Sequence, residues 1–166
     1  MPALLRVINQ INRLASLAAG FFTAVIGLVV CYAVVTRYVL NRPVGWSEEV
    51  SVYLMIWAAF LGAGYTMLKD GHIGVDILCR KLSPQAQAWL NSAKYLTAMA
   101  FLALLAVKGI EDCALSHKLG QVSISELAVP LFIPQLALPV GAVLMALQIL
   151  EKFLRQLLGL GQEDDQ

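Results

Sequence analysis

The sequence has few of the residues that build catalytic, redox or metal sites. Its 166 residues include three cysteines and two histidines, and 14% of the residues are charged. Cys31, Cys79 and Cys113 lie far apart, without the CxxC spacing of metal and redox sites, and we interpret them as isolated thiols. A net charge of +1 with no basic run argues against a nucleic-acid partner. Because no glycine-rich phosphate loop or nucleophile constellation is present, we predict no enzyme activity, cofactor or metal.

Apolar residues dominate instead, at 59% of the chain, and they gather in four long stretches. A bilayer core about 30 Å thick is crossed by roughly 20 apolar residues in helical form. We therefore predict an all-α, polytopic membrane protein with a single four-helix membrane domain over residues 1–158. The predicted transmembrane helices cover residues 14–36, 48–68, 85–110 and 126–150, and a polar tail follows at 159–166.

The third predicted helix has the shortest charge-free part, residues 95–107, which covers only about 20 Å. A crossing therefore requires Lys94 and Lys108 to extend toward opposite membrane interfaces. Residues 72–82 predict a short interfacial helix between the second and third spans. Residues 4–13 fit either a separate interfacial helix or an extension of the first span.

Three local patterns refine the second and fourth helices. Ser47 is predicted to cap the start of the second helix. The capping-box pattern from Ser123 to Glu126 predicts the start of the fourth. Small residues recur every four positions through Gly62, which predicts close packing against another helix of this chain; a substrate-lining role is the alternative.

The distribution of positive charge predicts the orientation. Eight of the twelve Lys and Arg residues lie at the two termini or in the 69–94 segment, and four lie in the other two loops. Because cytoplasmic loops carry the excess of Lys and Arg, we predict that both termini are cytoplasmic.

The middles of the predicted helices lack ionisable residues. Such a group costs at least about 2.5–3.5 kcal/mol in the bilayer and usually marks an ion path, so this chain is not predicted to be a self-sufficient ion-coupled transporter. His72 and His117 fall in predicted loops on opposite sides, which argues against a haem-binding anchor of a respiratory enzyme. A homo-oligomeric carrier or channel remains an alternative. Its path would be lined by the polar residues Thr23, Thr36, Thr66, Thr97 and Gln135.

Several short motifs occur in order along the chain. Arg37-Tyr38 ends the first helix, and Trp46-Ser47-Glu48-Glu49 opens the second, which also contains Phe60-Leu61-Gly62-Ala63. Gly71-His72-Ile73-Gly74-Val75-Asp76 follows, and Pro139-Val140-Gly141 lies in the fourth helix. In order and spacing, these motifs resemble the small membrane subunit (DctQ-type) of tripartite ATP-independent periplasmic, or TRAP, transporters.

The resemblance implies a small subunit of the bacterial inner membrane. In such systems a periplasmic binding protein captures an organic acid, commonly a dicarboxylate or sugar acid. A large multi-span membrane subunit then moves the acid inward with a sodium gradient. The small subunit resembles a scaffold without substrate or sodium sites. The expected partners are the large subunit, the binding protein docked on the complex, and membrane lipids.

We predict that residues near the helix ends, together with Gly62 in the second helix, form the subunit interface. Four charged residues at the predicted periplasmic boundary could pair with the large subunit, with solvated interfacial charge as the alternative. His72 and Asp76, four residues apart, could share one face and lock the interfacial helix, or they could simply face lipid. The candidate interface residues are Arg37, Arg42, Trp46, Glu48, Glu49, Gly62, His72 and Asp76.

Overall fold

The described part of the chain is helical, with one isolated β-bridge between Val122 and Pro130 and no β-strand. A computed structural model describes residues 2–42, 44–68, 84–125 and 127–157. Its helices are α1 (Pro2–Tyr38), α2 (Trp46–Leu68), α3 (Pro84–Lys118), α4 (Phe132–Gln135) and α5 (Ala137–Leu157).

The long helices pack in a row rather than in the order of the chain. α1 packs on α2, α2 packs on α5, and α5 packs on α3, whereas α1 contacts α5 only slightly. We call the end where α1 begins and α5 finishes the termini end, and the end that holds residues 39–45 and 119–131 the loop end. This order places α2 and α5 at the inner positions and α1 and α3 at the edges. We call α5 the central helix because it contacts each of the other four.

Burial agrees with the central position of α5. In the most apolar part of the segment Phe132–Arg155, 44% of residues are buried, against 6% in the corresponding parts of α1 and α2. Many large apolar side chains of α1 and α3 are exposed, such as Leu28, Leu96 and Leu104. An apolar surface of this extent requires lipid or a protein partner to cover it.

Three helical segments are long and apolar enough to cross a membrane: Arg6–Tyr38, Trp46–Met67 and Phe132–Arg155. They correspond to the first, second and fourth predicted spans. α3 is 35 residues long and is not among these three segments; Lys94 and Lys108 lie on either side of its apolar part. The crossing by α3 stays a prediction, and so does the count of four spans.

Glycine permits the close approach of α5 to its two neighbours. A Cβ atom built on Gly141 would lie 2.7 Å from the Phe60 Cβ atom and 2.9 Å from its carbonyl oxygen, closer than real Cβ contacts. A Cβ atom on Gly109 of α3 would lie 2.9 Å from the Cδ atom of Pro139. Both crossings therefore need a residue without a side chain, as helix packing in membranes often does.

Two helix boundaries differ from the prediction. The third helix was predicted to end near residue 110 but continues to Lys118, so the prediction of a loop around His117 is wrong. The capping box does not start the fourth helix. Ser123 lies in an irregular segment, where its hydroxyl donates to Ser125 rather than capping a helix. The helical segment begins only at Phe132, after Pro130.

A third difference concerns Ser47. α2 begins one residue earlier, at Trp46, and the Ser47 hydroxyl donates to the carbonyl of Val44 at 3.0 Å, so Ser47 is not the N-cap. The lead-in to the first span is also settled, since α1 is one continuous helix from Pro2. The predicted interfacial helix at 72–82 and the tail at 159–166 lie outside the described residues.

Candidate functional site

A carboxylate at the loop end ties α2 to the segment that precedes α4. The Tyr53 hydroxyl donates to one oxygen of Glu49 at 2.5 Å, and the Ser125 hydroxyl donates to the other. Ser123 donates in turn to the Ser125 oxygen at 3.0 Å. Hydrogen bonds to a charged acceptor are stronger than neutral ones, so Glu49 anchors the irregular segment on α2.

A second polar cluster lies at the termini end, where α1 meets α5. Asn12 and Gln148 are fully buried, and Glu151 is nearly so. The Asn12 amide donates to the Gln148 side-chain oxygen at 2.9 Å. Gln148 donates to Asn9 at 3.2 Å and to Glu151 at 3.3 Å, and Arg155 forms an ion pair with Glu151. Gln148 is therefore the central residue of this cluster.

Gly64 of α2 completes the packing around this cluster. A Cβ atom at Gly64 would lie 2.1 Å from the Asn12 side-chain oxygen, so the amide packs directly on the glycine backbone. That oxygen is buried without a hydrogen-bond partner. The cluster therefore joins α1, α2 and α5.

The termini-end cluster was not predicted from the sequence. Its members on α1 are three residues apart, as are Gln148 and Glu151 on α5, so each pair shares a helix face. This spacing was visible in the sequence. What the sequence could not show was that the two faces meet.

The predicted interface residues divide into two groups at the loop end. Glu49 turns inward to Tyr53 and Ser125, whereas Arg37, Arg42 and Glu48 are exposed. These three form no ion pair within the described part of the chain. They are therefore placed to meet a partner or solvent.

Of the remaining predicted interface residues, two contact α1 and two lie outside the described residues. Trp46 packs against Tyr32 of α1, with ring centroids 5.8 Å apart. A Cβ atom on Gly62 would lie 3.7 Å from the Ala19 Cβ atom, which places Gly62 in the α1–α2 contact. His72 and Asp76 lie outside the described residues.

The polar residues proposed to line a channel mostly bond to their own helices. The hydroxyls of Thr23, Thr36 and Thr66 donate to carbonyl oxygens three or four residues earlier. His117 stacks edge-on against Phe132, with ring centroids 5.1 Å apart. Among the described residues, no group of three or more His, Cys, Asp and Glu side chains could hold a metal ion. Cys31 is exposed and Cys113 is buried, and both are free thiols.

Comparison with known proteins identifies the family. Residues 26–159 match the family described as tripartite ATP-independent periplasmic transporters, DctQ component. The chain belongs to this family. It is therefore a multi-pass membrane subunit of the TRAP type, as the motifs predicted, and a transporter component rather than an enzyme.

Relatives of this DctQ-family chain include small permease proteins from several bacteria. It is 37% identical over 92 residues to a putative TRAP transporter small permease protein of Haemophilus influenzae, a match covering 55% of each chain. It is 24% identical over 106 residues to the C4-dicarboxylate TRAP transporter small permease protein DctQ of Rhodobacter capsulatus, covering 64% of this chain and 46% of that one. The chain thus spans about half the length of these two relatives.

A third relative is matched over most of its length. The sialic acid TRAP transporter small permease protein SiaQ of Vibrio cholerae is 23% identical over 152 residues, which cover 92% of this chain and 84% of that protein.

Two of the short sequence motifs supply the residues that meet where the helices cross. Phe60 of the motif Phe60–Ala63 in α2 packs on Gly141 of the motif Pro139–Gly141 in α5, so two separate motifs meet at the α2–α5 crossing. Pro139 of the same motif meets Gly109 of α3. In this DctQ-family subunit, these motif residues determine how closely α5 packs on its neighbours.

Proposed function

We propose that this chain is the small scaffold subunit of a binding-protein-dependent, sodium-coupled transporter that imports an organic acid across the bacterial inner membrane. Its role is to hold the static part of a large transport subunit, while the substrate and sodium sites lie in that subunit. Both termini face the cytoplasm, so the loop end faces the periplasm and the binding protein.

The observation that carries this proposal is the exposed apolar surface of the helix row. α1 and α2 are apolar enough to cross a membrane, yet only 6% of their most apolar parts is buried within the chain. A protein whose function lay inside its own bundle would bury more of these helices. The helix row is suited instead to packing against another membrane protein and its surrounding lipids.

Longer relatives support a large partner. This chain is 26% identical over 154 residues to the isethionate TRAP transporter permease protein DctMQ of Oleidesulfovibrio alaskensis, and the match covers 24% of that protein. It also matches 14% of the sialic acid TRAP transporter permease protein SiaT of Haemophilus influenzae. In these proteins a region similar to this chain is joined to a much longer remainder, which supports a large subunit as the partner here.

The substrate class rests on the relatives and not on any site in this chain. The relatives are named for C4-dicarboxylates, sialic acid and isethionate, which are all organic acids. We propose an organic acid for this system on that basis. Because three of the five candidate path residues bond to their own helices, we place the selectivity outside this chain.

Reconstitution tests the proposal directly. Proteoliposomes would contain this chain alone, its large subunit alone, or both, each with the binding protein and an inward sodium gradient. We expect uptake of the radiolabelled acid only when both membrane subunits and the binding protein are present. Uptake by this chain alone would instead support the alternative of a homo-oligomeric carrier or channel.

The predicted interface residues are tested in the same system. The double variant Glu48→Gln, Glu49→Gln should weaken assembly and uptake if these carboxylates pair with the large subunit. Glu49→Gln alone is the control for the loss of the contacts that Glu49 makes with Tyr53 and Ser125 within this chain. The double variant His72→Ala, Asp76→Ala tests the proposed lock of the interfacial helix. Wild-type assembly and uptake in either double variant would reject the corresponding role.

A further inference from the structure

A groove opens at the loop end between α2 and α3. Both helices pack on α5, and the groove between them has a volume of about 590 Å³. Its apolar lining includes Ile56, Phe60 and Leu138, and its polar lining includes Asp112, Ser116 and Gln135. A groove of this size can hold several side chains of a partner, since ligand pockets typically measure about 300–1,000 Å³.

Two groups in the groove are hydrogen-bond acceptors without a partner in the described part of the chain: the Asp112 carboxylate and the side-chain oxygen of Gln135. The Ser116 hydroxyl donates to Gln121 at 3.0 Å, and the Tyr53 hydroxyl donates to Glu49, so both hydroxyl donors are used. The side-chain oxygen of Gln135 is buried without a partner. Asp112 is exposed and forms no hydrogen bond or ion pair within the residues that the structure describes.

Neither lysine of this part of α3 lines the groove. Lys108 forms an ion pair with Glu111 at 2.6 Å and also attracts Asp112, and Lys118 is not among the lining residues. The groove therefore combines one negative charge, one unsatisfied acceptor and an apolar wall. A partner segment that fits this groove would be apolar and would carry a positive charge and a hydrogen-bond donor. The donor matters because a buried acceptor that has no donor costs free energy.

We propose that the loop-end groove is a docking site for the large TRAP membrane subunit, through a segment that places an Arg or Lys side chain beside Asp112 and a hydrogen-bond donor on Gln135. This inference rests on the proposed function, because it assigns part of the subunit interface. It differs from the interface predicted from sequence, since Asp112 and Gln135 are not among those residues.

Two single variants test the polar contacts in the complex purified in lipid nanodiscs. Asp112→Asn removes the charge, and Gln135→Leu removes the acceptor at similar size. We expect each to weaken binding of the large subunit about tenfold, the size of effect that the loss of one hydrogen bond or partly exposed ion pair gives. The matched control is the double variant Lys108→Gln, Glu111→Gln, which removes the adjacent ion pair without releasing a cation beside Asp112; neither residue lines the groove, and the affinity should stay unchanged.

Photo-crosslinking identifies the occupant without depending on the stability of a variant. A photoreactive phenylalanine replaces Leu115, which is exposed and lines the groove, or Ile110, which is exposed on the same helix outside it. We expect a crosslink from position 115, and not from 110, to a peptide of the large subunit that contains Arg or Lys. Reversing the charge of that residue together with Asp112→Lys should restore binding.

The outcomes separate this inference from the proposed function. If wild-type chain binds no large subunit, both fail. If the large subunit binds but position 115 crosslinks only to lipid, to substrate or to a second copy of the chain, the docking site is overturned and the scaffold role stands. Unchanged affinity in both Asp112→Asn and Gln135→Leu would likewise overturn the docking site alone.

Discussion

The α2–α5 crossing gives the most quantitative prediction, because Gly141 leaves no space for a side chain. In Gly141→Ala, the new Cβ atom would lie 2.7 Å from the Phe60 Cβ atom and 2.9 Å from the Phe60 carbonyl oxygen. The carbonyl cannot rotate away within α2, so the helices must separate. Overpacking of this kind costs about 1–3 kcal/mol, and alanine regains about 1 kcal/mol of helix propensity over glycine. The net loss in the free energy of unfolding is therefore about 0–2 kcal/mol.

Gly20→Ala is the matched control, since a Cβ atom at Gly20 of α1 meets nothing within 4 Å. It should gain up to about 1 kcal/mol from propensity alone. Reversible unfolding in mixed micelles measures both variants, and we expect Gly141→Ala to be less stable than Gly20→Ala by about 1–3 kcal/mol. Equal stability of the two variants would refute the tight crossing.

Three further predictions concern polar groups and backbone strain. Gln148→Leu removes the central residue of the termini-end cluster and leaves buried partners unpaired, so the free energy of unfolding should fall by about 1–3 kcal/mol. Glu49→Gln weakens two charge-assisted hydrogen bonds, so hydrogen exchange in residues 121–131 should become faster. Ala128 has a φ of +45°, a left-handed conformation that favours glycine. Ala128→Gly should therefore gain up to about 1 kcal/mol.

Each of these predictions can fail in a defined way. Gln10→Leu, at an exposed position of α1, is the control for Gln148→Leu, and similar stability of the two would contradict the cluster. Glu48→Gln, at an exposed position beside Glu49, should leave hydrogen exchange of the 121–131 segment unchanged. A clear loss of stability in Ala128→Gly would show that its backbone is not strained.

The apolar spans were predictable because a membrane helix is determined by length and composition. Trp46–Leu68 agrees with the predicted 48–68 within two residues, since charge and glycine bound that run. The polar run at 111–118 was predicted to be a loop for the same reason, yet it continues α3. Charged residues outside an apolar stretch end a membrane span without ending a helix.

Local capping patterns were less reliable than apolar length. Ser123 and Ser47 both have sequence contexts typical of helix starts, but their hydroxyls bond to Ser125 and to the carbonyl of Val44. A proline shortly after the predicted start, Pro130, cannot donate a backbone hydrogen bond, which explains the delayed start of the helical segment. The cluster around Gln148 depends on which helices become neighbours, and that information is not local.

Purification of this chain from its native membrane tests the central claim most directly. The tagged chain would be extracted in mild detergent, and the co-purifying proteins identified and quantified by mass spectrometry. The scaffold role predicts recovery of one much larger multi-span protein of the TRAP type in near-equal amount. Recovery of the chain alone, as a stable homo-oligomer, would contradict that role and support an independent carrier or channel.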